Sequence, residues 1–390
     1  MRQSTYWPQL CLIQLASRDA EAVVDPLAKT IDLAPFFALM ADPAVVKVFH
    51  AARQDVEIIH HMGGIIPLPI FDTQIAAMVC GFGEAASYSA LVKQLLRKTL
   101  DKSSRFTDWA RRPLSEKQLR YALGDVTHLR GIYAKLNARL EATGRASWLK
   151  EEMDELVDPR NYVTQPEDSW RRLKNRARNP AELGVMIEVA AWREREAQSQ
   201  NVPRNRVIKD DTIYDVMVQA PKSVDELTRL RTIHDGFARS ARARDLVEAV
   251  RRGLARDREE LPPLPINESL PPSAIAVADL LRVLLKAVVA RYDVAAKLIA
   301  TSEDLDKIAL DDEAEVAALH GWRRELFGED ALAIKAGRLA LTVEGGRIVT
   351  LPRQARQATG EAADGAQTSS ADDMDAFGHE DAPAHSSLAD

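Results

Sequence analysis

The sequence has very few cysteines and no long apolar run. Two cysteines, Cys11 and Cys80, occur among 390 residues, which excludes a disulfide framework and a zinc site built from cysteine pairs. No apolar stretch approaches the roughly 20 residues of a membrane-spanning helix. Polar residues and Pro8 interrupt the segment where a signal peptide would be apolar. We therefore expect a protein of the reducing cytoplasm that has no membrane partner.

Positive charge is absent from the end of the chain. No lysine or arginine follows Arg356, whereas acidic residues continue to Asp390. Because this segment is also poor in apolar residues, we expect residues 354–390 to form a disordered acidic tail. Without the tail, the formal net charge of −6 becomes close to neutral, and basic clusters remain at 170–178 and 239–256. The net charge therefore does not exclude a nucleic-acid partner.

The length and the order of patterns indicate several domains. A chain of 390 residues with 46% apolar residues is too long for one compact core. Residues 1–150 alternate short β-branched runs with helical patterns, which predicts an α/β domain. A polar stretch at 159–168 marks a boundary, and residues 169–253 have helical patterns throughout. A proline-rich linker at 261–272 precedes a third helical stretch at 273–350, which ends in a predicted β-hairpin.

One predicted helix carries a tyrosine and an aspartate on one face. Ser115 and Gln118 have the spacing of a capping box, so the helix is predicted to begin there. Tyr121 and Asp125 lie one turn apart at the edge of its apolar stripe. A carboxylate there must be hydrogen-bonded, paired with a cation or bound to a metal, because its burial alone is costly. The pair by itself is a weak signal, because many helices carry it without a catalytic role.

Two further aspartates follow predicted strands. Asp55 falls in the first turn of a helix after the strand at 45–49, at the edge where open α/β sheets hold their sites. Taken alone, Asp55 is better interpreted as an ordinary helix N-terminal charge, which contributes a few tenths to about 1 kcal/mol. Asp72 ends the extended piece at 67–71, and we interpret it as the N-cap of the next helix rather than as a ligand.

The sequence around these residues resembles the ribonuclease D family, in the DEDD superfamily of 3′–5′ exonucleases with tyrosine in the last motif. The resemblance covers most of residues 1–350. Four segments occur in the family's order, namely TYWPQLCLIQLA (5–16), VFHAARQDVEII (48–59), IFDTQIAA (70–77) and LDKSSRFTDWARRPLSEKQLRYALGDVTHL (100–129). It implies a ribonuclease-H-like α/β exonuclease domain at 1–150, an all-α HRDC domain at 169–253 and a second HRDC-like bundle at 273–350.

The resemblance also implies a chemistry. Two divalent ions, Mg²⁺ or Mn²⁺, hydrolyse the phosphodiester bond, and carboxylates are their ligands. By motif, Asp55 would bind one ion and Asp125 the other, while Tyr121 would orient the attacking water. The implied activity is trimming of the 3′ ends of precursor tRNA and other small structured RNAs, and we expect a monomer. The candidate RNA contacts are Lys102, Arg105, Arg171, Arg172 and Lys174, although exposed charge is the default for such residues.

One family motif is not found in these segments. The family has an Asp-x-Glu pair on a first strand, upstream of the stretch that corresponds to residues 5–16, and both acids bind metal. We expect that strand and its acids to lie before Met1, which would then be an internal methionine. The alternative is a catalytically inactive RNA-binding remnant. Glu21 and Asp25 cannot substitute, because they lie on the wrong side of the matching strand.

Overall fold

The computed structural model describes residues 4–101, 107–264 and 270–353. Its first region mixes strands and helices, as the sequence predicts. The elements are β1 (Ile13–Ala16), β2 (Glu21–Val24), α1 (Ala34–Ala41), β3 (Lys47–Phe49), α2 (Arg53–Gly63), β4 (Ile70–Asp72), α3 (Thr73–Val79), α4 (Tyr88–Leu96), α5 (Glu116–Thr127), α6 (Leu129–Thr143) and α7 (Ala146–Leu156).

The four strands of this region form two separate pairs. β1 and β2 make the predicted antiparallel hairpin, with Ile13 opposite Val24. β3 and β4 run parallel, with Phe49 opposite Asp72, and α2 forms the connection between them. Because parallel strands end at one edge, the residues that follow Phe49 and Asp72 lie side by side.

The core of the first region is assembled mainly from helices. In α6, Ile132, Leu136 and Leu140 recur every four residues and are fully buried. They share one apolar cluster with Leu91 of α4. α6 ends at Gly144, which has a φ of +68° and supplies the left-handed conformation that closes the helix.

The second region is helical. After 3₁₀ turns at Pro159–Asn161 and Pro166–Arg172, it contains α8 (Pro180–Ser199), α9 (Arg204–Val207), α10 (Asp210–Gln219), α11 (Val224–Leu227), α12 (Asp235–Ala238) and α13 (Ala241–Ala255), then a 3₁₀ turn at Arg258–Glu260. α8 and α13 approach closely at Gly184 and Gly253, since a Cβ on Gly184 would lie 2.4 Å from the Gly253 carbonyl oxygen. This region has its own apolar core, which includes Ile187, Val189, Trp192, Ile213, Met217 and Leu227.

The third region has a different relation to the rest of the chain. It consists of α14 (Pro272–Tyr292), α15 (Ala296–Ile299), α16 (Ser302–Leu310), a 3₁₀ turn (Ala317–Leu319), α17 (Gly321–Arg323), a π-helical turn (Arg324–Gly328), α18 (Glu329–Lys335), β5 (Leu339–Glu344) and β6 (Arg347–Pro352). The antiparallel β5–β6 pair confirms the predicted hairpin. Phe327 belongs to the same apolar cluster as Leu91 and Leu136, so the first and third regions share one core.

Aromatic and charged contacts extend this shared core to its surface. The rings of Trp148 and Trp322 stack at 4.7 Å. Arg323 pairs with Glu152 and, at 3.2 Å, with Glu151 of α7. The proposed domain limits remain predictions, and the expected acidic tail at 354–390 lies outside the described residues. No helix of the described ranges is long and apolar enough to cross a membrane.

Candidate active site

The helix that carries Tyr121 and Asp125 begins where the sequence predicts. The Ser115 hydroxyl accepts the Gln118 N–H at 3.3 Å, and the Gln118 side-chain oxygen accepts the Ser115 N–H at 2.9 Å. This capping box fixes the first turn of α5. Tyr121 and Asp125 are both half-buried, and the Tyr121 ring lies 5.9 Å from that of Trp109. Both side chains are therefore held at the edge of the packed interior.

Asp72 is a buried structural residue at the edge of the β3–β4 pair. Its carboxylate accepts the Gln74 N–H at 2.7 Å, which confirms its interpretation as the N-cap of α3. It also accepts the N–H groups of Ala51 at 3.0 Å and Ala52 at 2.7 Å, in the turn between β3 and α2. Ala51 has a φ of +60°, a left-handed conformation that costs an L-residue roughly 1–2 kcal/mol. Asp72 thus stabilises the strained turn that leads into α2.

Asp55 lies in the first turn of α2, directly after this turn. Its side chain is open to solvent. Nevertheless, desolvation by the surrounding protein, together with the nearby charge of Asp72, raises its pKa to about 6.

Asp125 has the same electrostatic character. Burial raises its pKa to about 6. No cationic side chain in the described part of the chain lowers the pKa of Asp125 or of Asp55. Two desolvated carboxylates without a compensating cation fit a divalent metal by ligand type and by charge. The described ranges contain no group of three or more His, Cys, Asp or Glu side chains that could hold an ion, so they do not supply a complete ligand shell.

Tyr88 joins α4 to the end of α5, next to Asp125. Its hydroxyl donates to the Gly124 carbonyl at 2.9 Å and accepts the His128 N–H at 3.2 Å. The Tyr88 ring lies 5.8 Å from the ring of His50, which follows β3. Tyr88 therefore lies between the two elements that carry Asp125 and Asp55. No sequence signal identifies it, because its partners are backbone groups 36 and 40 residues away.

His50 is held at the same edge by Thr73. The Thr73 hydroxyl donates to the Phe49 carbonyl at 2.9 Å and lies 3.0 Å from Nδ1 of His50. Burial lowers the pKa of His50, and the charge of Asp72 opposes this effect. His50, Thr73 and Asp72 thus form a packed polar layer beneath the first turn of α2.

Asp25, one of the two acids that the sequence excludes as ligands, has a structural partner. Its carboxylate accepts from Nε and Nη2 of Arg112, each at 2.6 Å. This bidentate hydrogen bonding holds the pKa of Asp25 below its ordinary value. Arg112 also donates to the Cys11 carbonyl at 2.7 Å, so the pair ties the segment before α5 to the first hairpin.

The candidate RNA-binding residues divide into two groups. Lys102 and Arg105 lie outside the described residues. Arg171, Arg172 and Lys174 are exposed. Arg171 pairs with Asp168 at 3.1 Å, and Arg172 donates to the Thr164 hydroxyl at 2.9 Å.

Comparison with known proteins agrees with this architecture. A family model described as 3′–5′ exonuclease matches residues 1–141, and the HRDC domain model matches residues 182–250. Ribonuclease D of Nitrobacter hamburgensis is 54% identical, and the match covers 90% of this chain and 92% of that protein. Ribonuclease D of Bartonella henselae is 46% identical, with 90% and 86% covered.

A solved structure is also similar over most of its length. The crystal structure of Escherichia coli RNase D, described as an exoribonuclease involved in structured RNA processing, has a TM-score of 0.74. It is 29% identical in sequence, and the match covers 86% of this chain and 91% of that one. These matches confirm the predicted family and fold class. The chain belongs to the ribonuclease D family of 3′–5′ exoribonucleases.

Proposed function

We propose that the protein shortens RNA from its 3′ end by metal-assisted hydrolysis at a site that contains Asp55, Tyr121 and Asp125. The observation that carries this proposal is the position of Asp55 at the edge of the β3–β4 pair and of Asp125 on α5, which Tyr88 joins to the same edge through its contacts with Gly124 and His50. In addition, the surrounding protein raises the pKa of both carboxylates to about 6, and no cationic side chain in the described ranges lowers it. A bound divalent cation would compensate the negative charge of these carboxylates, which their surroundings otherwise disfavour.

Asp55 and Asp125 would hold the metal. When bound, Mg²⁺ or Mn²⁺ supplies an activated water and neutralises the charge that develops on the phosphate and the leaving 3′-oxygen. Both carboxylates are mostly ionised at pH 7, because their pKa values lie about one unit lower. They are therefore ready to act as ligands without a further proton transfer.

The remaining residues orient the reacting groups. Tyr121 lies one turn before Asp125 on α5, so its hydroxyl is suited to hold the attacking water beside that carboxylate. Tyr88 fixes the backbone on either side of Asp125 through Gly124 and His128. Asp72 fixes the turn that places Asp55. Each of these contacts reduces the motion of a functional carboxylate.

We propose that the substrates are small structured RNAs, including the 3′ ends of precursor tRNA. The Escherichia coli relative is described as acting in structured RNA processing, which supports this substrate class. The exposed Arg171, Arg172 and Lys174, together with Lys102 and Arg105, would contact RNA phosphates, which dominate such binding. We further propose that the protein acts as a monomer.

The proposal is tested with an end-labelled RNA and Mg²⁺. The unmodified protein should release nucleotides from the 3′ end, and EDTA should stop the reaction. Loss of an outer-shell partner of a metal site costs roughly 10–100-fold, so Asp125→Asn should lower kcat/KM by more than about 100-fold. Asp154→Asn is the matched control, because Asp154 is an exposed aspartate that pairs with Lys150 on α7.

Two outcomes would contradict the proposal. Activity of Asp125→Asn equal to that of Asp154→Asn would remove Asp125 from the site. Tight RNA binding by the unmodified protein, without any hydrolysis in Mg²⁺ or Mn²⁺, would favour the RNA-binding alternative.

A further inference from the structure

We propose that a cavity between residues 5–6 and the HRDC region binds a phosphodiester group of the RNA strand, upstream of the 3′ end that is hydrolysed. This inference rests on the proposed function for the identity of the strand. It adds to that function a second, specific contact site for RNA. This site is separate from the catalytic carboxylates and more specific than a generally basic HRDC surface.

The cavity has a size and a lining that suit a small polar group. Its volume is about 350 Å³, within the range of roughly 300–1,000 Å³ that is usual for ligand sites. Thr5 and Tyr6 form one wall, and Arg172, Arg193 and Arg204 lie around it. Guanidinium groups match the oxygens of a phosphate in geometry and in charge.

The charge of the lining distinguishes this cavity from a larger groove of about 770 Å³ in the same region. The larger groove balances three arginines with three acids, namely Arg176, Arg229, Arg231, Asp211, Asp215 and Glu226. The smaller cavity opposes its three arginines with one acid, Asp210. Glu194 lies behind Arg204 and compensates its charge, and Asp210 pairs with Arg193, so one net positive charge remains, at Arg172. This remaining charge favours an anion.

Arg193 is fixed in place and is not fully satisfied. It is 4% exposed, and its Nη1 donates to the Asp210 carboxylate at 2.5 Å and to the Ile208 carbonyl at 3.3 Å. Its Nε has no acceptor within the described residues. A buried donor without a partner is costly, and a missing water or ion is a usual explanation. Because that Nε is itself enclosed by protein, Arg193 contributes a fixed positive charge to the wall of the cavity.

Arg204 and Arg172 complete the set. Arg204 donates through Nε and Nη2 to the buried Glu194, and through Nη2 to the Tyr6 hydroxyl at 3.0 Å, while its guanidinium lies 4.8 Å from the centre of the Tyr6 ring. These contacts hold it against the wall of the cavity. Arg172 is exposed and donates from Nη2 to Thr164, so its Nε edge is the adaptable part of the site.

The position of the cavity suits a strand that enters the active site. Trp7, next to Tyr6, stacks on His61 at 4.0 Å. His61 is near the end of α2, six residues after Asp55, or roughly 9 Å along the helix axis. The cavity therefore lies beside the helix that carries Asp55, where a strand with its 3′ end at that carboxylate would place phosphates further upstream.

The test is RNA binding in EDTA, which prevents hydrolysis and so is independent of catalysis. A single-stranded RNA several nucleotides long should bind Arg172→Gln about tenfold more weakly than the unmodified protein. The slope of log K against log salt should fall by about 0.7, as expected for one lost phosphate contact. Arg178→Gln, at an exposed arginine of the same region that pairs with Glu182, is the matched control and should change neither quantity.

Two further variants separate charge from geometry. Arg172→Lys should keep the salt slope and lose part of the affinity, because lysine retains the charge without the planar fork. Asp210→Asn should bind RNA more tightly, because it removes the acid of the lining while its amide oxygen can still accept from Arg193. Hydrolysis of a dinucleotide with Mg²⁺ should be equal in Arg178→Gln and the unmodified protein, because Arg178 lies outside the cavity lining and pairs with Glu182.

Several results would overturn the assignment. One is equal RNA affinity and equal salt slope in Arg172→Gln and Arg178→Gln. Another is weaker RNA binding by Asp210→Asn with an unchanged melting temperature. Saturable binding of inorganic phosphate alone, without any change of RNA affinity in Arg172→Gln, would assign the cavity to a free anion. Failure of dinucleotide hydrolysis in the unmodified protein would count against the proposed function and not against this site.

Discussion

The second and third regions are both helical, but they meet the first region through different contacts. The HRDC region has its own core and meets the first region through a polar contact surface of Tyr6, Glu194 and Arg204, in which the Tyr6 ring also packs against the HRDC core. The third region shares its apolar core with the first, including Phe327. Separation of this surface would expose the Tyr6 ring, whereas separation of the shared core would expose many buried apolar side chains.

This difference indicates different roles. In the proposed function, the HRDC region would hold the RNA, and its separate core indicates that it folds without depending on the contact. The third region is a structural part of the nuclease, although it lies more than 100 residues after it in sequence. Helical patterns in the sequence do not distinguish a region with its own core from one that shares the core of the first region, since both regions consist of amphipathic helices.

The largest expected effect comes from breaking the shared core. Phe327→Ala should lower the free energy of unfolding of the first region by about 3–5 kcal/mol, because Phe327 is fully buried there. Urea denaturation followed by loss of dinucleotide hydrolysis measures this. Met217→Ala, in the HRDC core, should lower the free energy of unfolding of the HRDC region by about 2–5 kcal/mol. The urea midpoint of inactivation should not change. An unchanged midpoint of inactivation in Phe327→Ala would show that the two cores are independent.

A smaller effect is expected at Asp125, because ionisation of this half-buried carboxyl lowers the stability of the metal-free protein. Burial raises the pKa of Asp125 to about 6, so the folded state prefers the protonated form. Its ionisation therefore destabilises the metal-free fold as pH rises through 6. Asp125→Asn should stabilise the metal-free protein by about 1–2 kcal/mol at pH 7.5, which is less than a pKa of about 6 would imply for a fully buried carboxyl, because Asp125 is partly exposed. The gain should vanish near pH 4.

Asp25→Asn is the control of opposite sign. Arg112 lowers the pKa of Asp25, so the stability that this carboxylate contributes is present at neutral pH and is lost as pH falls through its folded pKa. Asp25→Asn should therefore destabilise the protein at pH 7.5. Thermal unfolding in EDTA between pH 4 and pH 8 measures both variants. Destabilisation by Asp125→Asn at pH 7.5 would contradict the prediction that the ionised Asp125 carboxylate destabilises the metal-free protein.

The smallest effect is expected at the polar contact surface. Tyr6→Phe removes a hydroxyl that donates to Glu194 and accepts from Arg204. The free energy of unfolding should fall by only about 1 kcal/mol, because Arg204 and Glu194 remain hydrogen-bonded to each other. Limited proteolysis between the regions should become faster, while dinucleotide hydrolysis stays unchanged. Tyr214→Phe, at a tyrosine that packs on Arg176 inside the HRDC region, is the control. Equal proteolysis rates in the two variants would show that Tyr6 does not hold the regions together.

Local features were predictable because their causes are local. The capping box at Ser115 and Gln118, the N-cap at Asp72 and the first-turn position of Asp55 each depend on a few neighbouring residues. The helical patterns at 169–253 predicted a helical region for the same reason, and the structure there is helical. The roles of Asp55, Tyr121 and Asp125 remain proposals, since they rest on motif resemblance and on their surroundings.

Tyr88, Arg193 and Tyr6 could not be identified from sequence. Tyr88 acts through backbone groups of α5, and Tyr6 acts through side chains almost 190 residues away. The sequence separations between these partners follow no regular repeat, so no pattern in the sequence indicates them. Their contacts exist only after the helices have packed.

The sequence by itself determined the family and the order of strands and helices, because motifs and periodicity are written along the chain. The metal-binding roles of Asp55 and Asp125 remain proposals. The tertiary structure alone decided that the third region completes the nuclease core and that residues 5–6 close a cavity against the HRDC region. Both depend on which apolar faces and charges meet across long sequence separations. Burial and Coulomb interactions act through space, and the order of residues does not report them.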